Sequence, residues 1–87
     1  MTKTEIKNFI SQEAKKKLEL LGIASEKITD TTDLVKEGIF DSLSFVDLIT
    51  DCESHFGIEI DLEKYEAKEF TKVKNLTDII LEAKKIN

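Results

Sequence analysis

Apolar residues recur at helical spacing in three stretches of this chain, separated by segments in which that spacing breaks down. The first stretch predicts a helix from about Lys3 to Leu21, because apolar side chains three or four positions apart share one helix face. Its apolar stripe comprises Ile6, Phe9, Ile10, Ala14, Leu18 and Leu21. Thr2 and Glu5 fit a capping box at its start, and Gly22 fits the position just after its end.

The second stretch predicts a helix from about Ser42 to Phe56, capped by Asp41 and ended by Gly57. A rotation of about 100° per residue places most of its apolar side chains in one sector. These are Phe45, Val46, Leu48, Ile49, Cys52 and Phe56. Leu43 falls outside that sector, on the side that carries Asp47, Thr50, Asp51 and Ser54. We therefore expect Ser42 and Leu43 to be exposed beside a partly acidic face.

The third stretch predicts a last helix that begins near Asn75, a capping residue. Its stripe comprises Leu76, Ile79, Ile80, Ala83 and Ile86. Before it, residues 58–60 are expected to be an extended connector with Ile58 and Ile60 both buried. Asp61 is expected to cap a short helix that continues to about Glu69, with two side chains directed inward, Leu62 and Tyr65.

The segment from Gly22 to Phe40 is long for a loop in a compact domain. Apolar residues are spaced through it and predict an anchored loop rather than a flexible linker: Ile23, Ile28, Leu34, Val35, Ile39 and Phe40. A short helical turn somewhere in Thr29–Lys36 fits its capping residues. The pattern as a whole predicts an all-α protein. We expect a four-helix bundle with three long helices and one short one, a long structured loop after the first helix, and one domain spanning residues 1–87.

Composition and charge limit the functional classes to which the chain can belong. The chain is 40% hydrophobic and 36% charged, with a net charge of −5, which is typical of a globular domain rather than a disordered one. Residues 26–70 contain thirteen acids and four lysines, so this acidic block favours a basic protein partner and disfavours nucleic acid. No apolar run is long enough for a membrane span. One cysteine and a polar N-terminal stretch predict a reducing, cytoplasmic setting.

The sequence offers no catalytic or metal-binding set. A nucleophilic serine needs a base against its hydroxyl, but the only histidine, His55, lies more than three helical turns from Ser42. We expect His55 to be a solvated helix residue and Cys52 to be a small core residue. Cys52 and His55 are three positions apart, but no second such pair completes a zinc site.

One motif resembles a known family. Residues 41–48 (DSLSFVDL), followed at 55–60 by HFGIEI, resemble the acyl carrier protein and peptidyl carrier protein superfamily. The resemblance covers about residues 32–80. It implies that Ser42 carries a covalent 4′-phosphopantetheine arm, whose thiol holds cargo as a thioester. It also implies that Asp41 lies near the magnesium ion of the phosphopantetheinyl transferase that attaches the arm.

The resemblance further implies a non-catalytic protein that works with enzymes. The expected partners are the transferase, an acyl- or aminoacyl-loading ligase and downstream acyl-transfer enzymes, with the carrier itself a monomer. Asp41, Leu43, Asp47 and Asp51 are expected to form the surface that partners bind. Residues 38–42, GIFDS, look more like the GLLDS of free-standing D-alanyl or aminoacyl carriers than the Gly-x-Asp-Ser of fatty-acid carriers.

Two other functional classes compete with the carrier. The runner-up is a small acidic helical adaptor that binds a basic protein and is never modified. An unusual small hydrolase is a distant third. The sequence favours a discrete carrier, with aminoacyl or specialised cargo ahead of routine fatty-acid elongation.

Overall fold

Four α-helices and one 3₁₀ helix form the protein in a computed structural model, which describes residues 2–22 and 28–86 without the side chain of residue 86. The elements are α1 (Lys3–Leu20), α2 (Ser42–Phe56), the 3₁₀ helix (Leu62–Lys64), α3 (Ala67–Phe70) and α4 (Val73–Ile86). α1 packs against α2 and α4, and α3 packs against α4. This architecture confirms the predicted all-α bundle with three long helices. The predicted anchor Ile23 lies outside the described residues.

Each long helix buries one apolar stripe, as its spacing predicts. The buried residues are Ile6, Ile10, Ala14 and Leu18 of α1, Phe45, Leu48, Ile49 and Cys52 of α2, and Val73, Leu76 and Ile80 of α4. Thr77 is buried among them, and its hydroxyl donates a hydrogen bond of 2.7 Å to the Val73 carbonyl. The buried hydroxyl therefore carries no unsatisfied donor.

α1 ends one residue earlier than its stripe predicts. Leu21 is the C-cap, its N–H donates to the Lys17 carbonyl, and Gly22 follows with a left-handed φ of 72°. Because Leu21 has left the helix, its side chain is 49% exposed, so its predicted inward position is wrong. The predicted cap at the other end is confirmed, since the Thr2 hydroxyl accepts the Glu5 N–H at 3.2 Å.

The loop before α2 is anchored, as predicted. Leu34, Ile39 and Phe40 are buried, and Ile28 and Val35 pack partly buried against the same core. A single turn closes at residues 33–37, where the Glu37 N–H donates to the Asp33 carbonyl at 3.0 Å, and no longer helix follows it in the segment. An isolated antiparallel bridge joins Asp33 to Lys72, so the loop is tied directly to the segment that leads into α4.

This tie explains why the predicted start of α4 is wrong. The helix begins at Val73, so Asn75 lies inside it and caps nothing. The Val73 N–H donates to the Thr32 carbonyl at 3.0 Å, and the Lys74 N–H donates to the Asp30 carbonyl at 2.9 Å. Carbonyls from the loop therefore satisfy first-turn donors that a capping side chain usually satisfies.

The predicted third helix is broken into two pieces. Asp61 caps the 3₁₀ helix as expected, accepting the Glu63 N–H at 3.1 Å. Tyr65 and Glu66 then adopt extended backbone angles, and α3 starts afresh at Ala67. Ahead of the break, Ile58 is buried but Ile60 is only half-buried, which corrects the expectation for that pair.

Asp33 is the polar residue that holds the loop in place. Its carboxylate accepts the Val35 and Lys36 N–H groups and, at 3.0 Å, the Thr71 hydroxyl. Burial alone would raise its pKa, but these hydrogen bonds outweigh burial and set the pKa below its ordinary value of 3.8. The stabilisation is therefore complete above pH 3.8 and is lost as the pH falls through the lower folded-state pKa.

We expect Asp33→Ala to lower the free energy of unfolding by about 1–3 kcal/mol at neutral pH, because three donors lose a charged acceptor. Urea denaturation of both proteins at several pH values measures the difference. It should shrink only below pH 3.8, as the pH falls toward the lower pKa of the folded-state carboxylate. A difference that stays constant down to pH 2 would contradict the assigned role of the charge.

Candidate functional site

The start of α2 is held by reciprocal hydrogen bonds between Asp41 and Ser44. The Asp41 carboxylate accepts the Ser44 N–H at 2.8 Å, and the Ser44 hydroxyl accepts the Asp41 N–H at 2.9 Å. The predicted N-cap is thus confirmed as one half of a capping box. Sequence reasoning missed the role of Ser44, because the usual residue at this position is Glu or Gln.

The electrostatics of the cap favour a charged Asp41. The hydrogen bond from the Ser44 N–H, followed by that from its hydroxyl, sets the pKa of Asp41 below its ordinary value, with a smaller contribution from the nearby Lys17 charge. The carboxylate is therefore ionised at neutral pH and lies at the positive end of the α2 dipole.

Ser42 occupies the first position of α2 and is exposed. Buried aromatic side chains lie on both sides of it in sequence, Phe40 and Phe45. Phe45 also stacks on Phe70 of α3, with ring centroids 5.7 Å apart. These anchors hold the start of α2 against the core while Ser42 stays exposed.

Two apolar side chains lie exposed next to Ser42. Leu43 is 80% exposed, as predicted, and Val46 is 53% exposed. The placement of Val46 in the buried sector is therefore wrong. Val46 lies at the edge of that sector, one turn from Leu43, so the two side chains form a small apolar patch on the surface.

Asp47 and Asp51 are exposed, and together with α1 they border a cleft of about 270 Å³. The cleft is lined by Glu13, Lys16, Lys17 and Leu20 of α1, by Phe40, and by Ser44, Asp47, Leu48 and Asp51 of α2. Lys16 and Lys17 thus lie beside the acids of α2, an arrangement that no local sequence pattern encodes.

Neither other reactive side chain supports catalysis. Cys52 is fully buried, as expected, and burial raises the pKa of its thiol to about 12. His55 is exposed but not simply solvated, since its ring stacks on Phe9 at 4.2 Å and meets Phe56 edge-on at 4.8 Å. It lies more than three turns of α2 away from Ser42.

Across residues 2–22 and 28–86, no group of three or more His, Cys, Asp or Glu side chains is arranged to hold a metal ion. Over the same residues, each helix is too short or too polar to cross a bilayer.

Comparison with known proteins assigns the family. Residues 18–80 match the family described as phosphopantetheine attachment site. The acyl carrier protein of Buchnera aphidicola subsp. Baizongia pistaciae is 40% identical over 76 residues, which cover 87% of this chain and 86% of the relative. The acyl carrier protein of Thermotoga maritima is 30% identical over 77 residues, covering 88% and 80%. No solved structure gives a significant match.

The chain therefore belongs to the phosphopantetheine-dependent carrier proteins, which confirms the resemblance. It is a carrier rather than a catalyst, bears a covalent 4′-phosphopantetheine, and works with enzymes such as a phosphopantetheinyl transferase. The start of α2 fits this group, because an exposed hydroxyl lies where the helix dipole and free N–H groups favour a phosphate.

Substitutions at Asp41 can separate its role as the N-cap of α2 from a role toward the transferase. We expect Asp41→Asn to remain close to wild type in melting temperature, because asparagine is also a good N-cap. Asp41→Ala should melt a few degrees lower. If the carboxylate also serves the metal ion of the transferase, Asp41→Asn should acquire the arm more slowly despite its stability. Thermal melts and modification rates decide it, and a normal rate would leave Asp41 with the cap alone.

Proposed function

We propose that this protein is a discrete carrier that holds an acyl group as a thioester on a phosphopantetheine arm attached to Ser42. The observation that carries the proposal is the exposed Ser42 hydroxyl on the capped start of α2, inside the region that matches the attachment family. The predicted single domain, monomeric state and cytoplasmic location accompany this proposal as expectations.

The other serines of α2 are poorer attachment sites. Ser44 uses its hydroxyl and N–H in the capping box, so modification there would break the helix start. Ser54 is exposed but lies in the last turn, where the negative end of the helix dipole disfavours a phosphate. Ser42 combines exposure with the favourable end of the dipole.

In the proposed attachment reaction, this chain contributes one nucleophilic hydroxyl. The Ser42 Oγ would form a bond to the phosphorus of the pantetheine-bearing phosphate of coenzyme A and lose its proton. The bond from that phosphorus to the bridging oxygen would break and release adenosine 3′,5′-bisphosphate. The arm's terminal thiol then accepts cargo from a loading ligase, and downstream enzymes remove it.

Partner binding is assigned to Asp41, Leu43, Asp47 and Asp51. Their exposure on α2 and at its N-cap, the element that carries Ser42, supports this assignment. The acids would meet lysines or arginines of the partner, and Leu43 would enter an apolar recess. Exposed acids flanking an exposed leucine suit a surface that several enzymes bind in turn.

Cargo has two candidates. Both relatives described above are named acyl carrier proteins, which supports an acyl group. The second candidate is an aminoacyl group, supported by residues 38–42, GIFDS, whose spacing matches free-standing aminoacyl carriers. Loading assays on the arm-bearing protein, with one fatty-acyl ligase and one panel of amino-acid-activating ligases, distinguish the two by the mass of the thioester formed.

The carrier proposal is tested with the wild-type protein, coenzyme A and a phosphopantetheinyl transferase of broad specificity. Intact-mass spectrometry should show one added arm, and fragmentation should place it on Ser42. A thiol reagent gives an independent readout, because buried Cys52 with a pKa of about 12 should react only after unfolding. One fast-reacting thiol should therefore appear with the arm. No addition with several transferases would favour the unmodified adaptor.

A further inference from the structure

The exposed large apolar side chains of the described residues lie at the end of α1 and in the first turns of α2. Leu20 is 83% exposed and Leu43 is 80% exposed, and each has a partly exposed apolar neighbour, Leu21 and Val46. Leu20 lines the α1–α2 cleft together with Phe40 and Ser44. The end of α1 therefore lies beside the start of α2, so Leu20 and Leu43 expose apolar surface on the two elements that meet there.

Charge in the cleft is divided between its two walls. The α1 wall carries Lys16, Lys17 and one acid, Glu13, whereas the α2 wall carries only acids, Asp47 and Asp51. Lys16 is engaged by Glu13 at 2.9 Å, whereas Lys17 forms no ion pair with the residues that the structure describes. A purely basic partner surface would suit only the α2 wall. The cleft instead fits a partner that presents cations to one wall and a carboxylate to the other.

We propose that the α1–α2 cleft is part of the docking surface for the phosphopantetheinyl transferase, taking an apolar side chain of that enzyme against Leu20 while a carboxylate of the enzyme pairs with Lys17. This inference rests on the proposed attachment at Ser42. The transferase is the partner that reacts with the serine hydroxyl itself, so its surface must cover the neighbourhood of Ser42. Enzymes that act on the cargo meet the far end of the arm and are not bound by that requirement.

The chain supplies matched controls for both parts of the cleft. Leu21 follows Leu20 and is also partly exposed, but it does not line the cleft. Lys15 belongs to the same lysine run as Lys17 and is exposed, but it too lies outside the cleft. Leu21→Ser and Lys15→Gln therefore repeat each chemical change at a neighbouring position.

The experiment measures arm transfer from coenzyme A by a broad-specificity transferase, as a function of carrier concentration. Leu20→Ser should raise KM on the order of tenfold with little change in kcat, the effect of one lost apolar contact. Lys17→Gln should raise KM about threefold and change its salt dependence. Leu21→Ser and Lys15→Gln should match the wild type, with circular dichroism confirming that all four variants are folded.

The outcomes separate this inference from the proposed function. If all four variants are modified like the wild type, the cleft is not a docking surface, although Ser42 attachment still holds. If Leu20→Ser and Leu21→Ser raise KM equally, the effect comes from the end of α1 in general and the cleft inference is wrong. If the wild type itself acquires no arm, the proposed function fails, and the inference fails with it.

Discussion

Ser42→Ala is expected to abolish attachment of the phosphopantetheine arm while leaving the fold unchanged. The variant removes the hydroxyl that would form the new bond to phosphorus. Because Ser42 is exposed at the first position of α2, its loss leaves no buried cavity, and alanine is the best helix former. Intact-mass spectrometry after incubation with coenzyme A and transferase should show the unmodified mass only.

Ser54→Ala is the matched control, since it makes the same change on an exposed serine at the other end of the same helix. It should gain one arm at the wild-type rate. Ser44→Ala is a poor control, because that hydroxyl is part of the cap. Equal arm addition to Ser42→Ala and wild type would show that attachment occurs elsewhere, and fragment masses would then locate it.

The bounds of α2 were predictable because both of its ends carry local signals. Asp41 accepts the Ser44 N–H at the start, and Gly57 adopts a left-handed φ of 66° at the end. Such signals depend on residues within one turn of each other, so a sequence displays them directly. The same holds for the exposure of Leu43, which follows from its angular position alone.

The start of α4 was not predictable in this way. Its first N–H groups bond to the carbonyls of Thr32 and Asp30, which lie about forty residues earlier in the chain. No residue pattern near Val73 predicts those hydrogen bonds, whereas Asn75 is a good capping residue that the fold does not use as a cap. Here a tertiary contact satisfies the N–H donors that a local capping residue would satisfy, so the local signal does not determine where the helix starts.

In the candidate site, too, features that depend on local contacts were predictable and features that depend on tertiary contacts were not. The local motif around Ser42 predicts the proposed attachment position and the exposure of Leu43, because both depend on one helix. The α1 wall of the cleft depends on how two helices pack, and Lys17 and Leu20 carry no signal that separates them from ordinary solvated residues. Val46 shows that sequence prediction is limited even within one helix. Apolar spacing locates the centre of a buried stripe better than its edge, where Val46 lies.

The acidic wall of the cleft leads to the second large effect. Asp47 and Asp51 are one turn apart on α2, where like charges repel mildly, and neither forms an ion pair with the described residues. A partner with lysines or arginines would relieve that repulsion and be drawn toward Ser42. Paired charges at the rim of an interface mainly set the association rate.

Neutralising both acids should therefore slow arm transfer on the order of tenfold at low ionic strength and flatten its salt dependence. Asparagine is preferable to lysine at these positions, because Lys16 and Lys17 border the same cleft and would repel new cations.

Leu43→Ala should behave differently, weakening transfer at every salt concentration, because an apolar contact is barely screened by salt.

Glu59→Gln with Glu63→Gln is the control that separates position from net charge. Both residues are exposed acids on the segment that follows α2, and neither borders the α1–α2 cleft. This pair lowers the negative charge by the same amount as Asp47→Asn with Asp51→Asn. Rates of transfer against ionic strength should separate the two pairs, with only the α2 pair losing its steep salt dependence. If both pairs slow transfer equally, the transferase responds to overall charge, and the acids of α2 have no special place in docking.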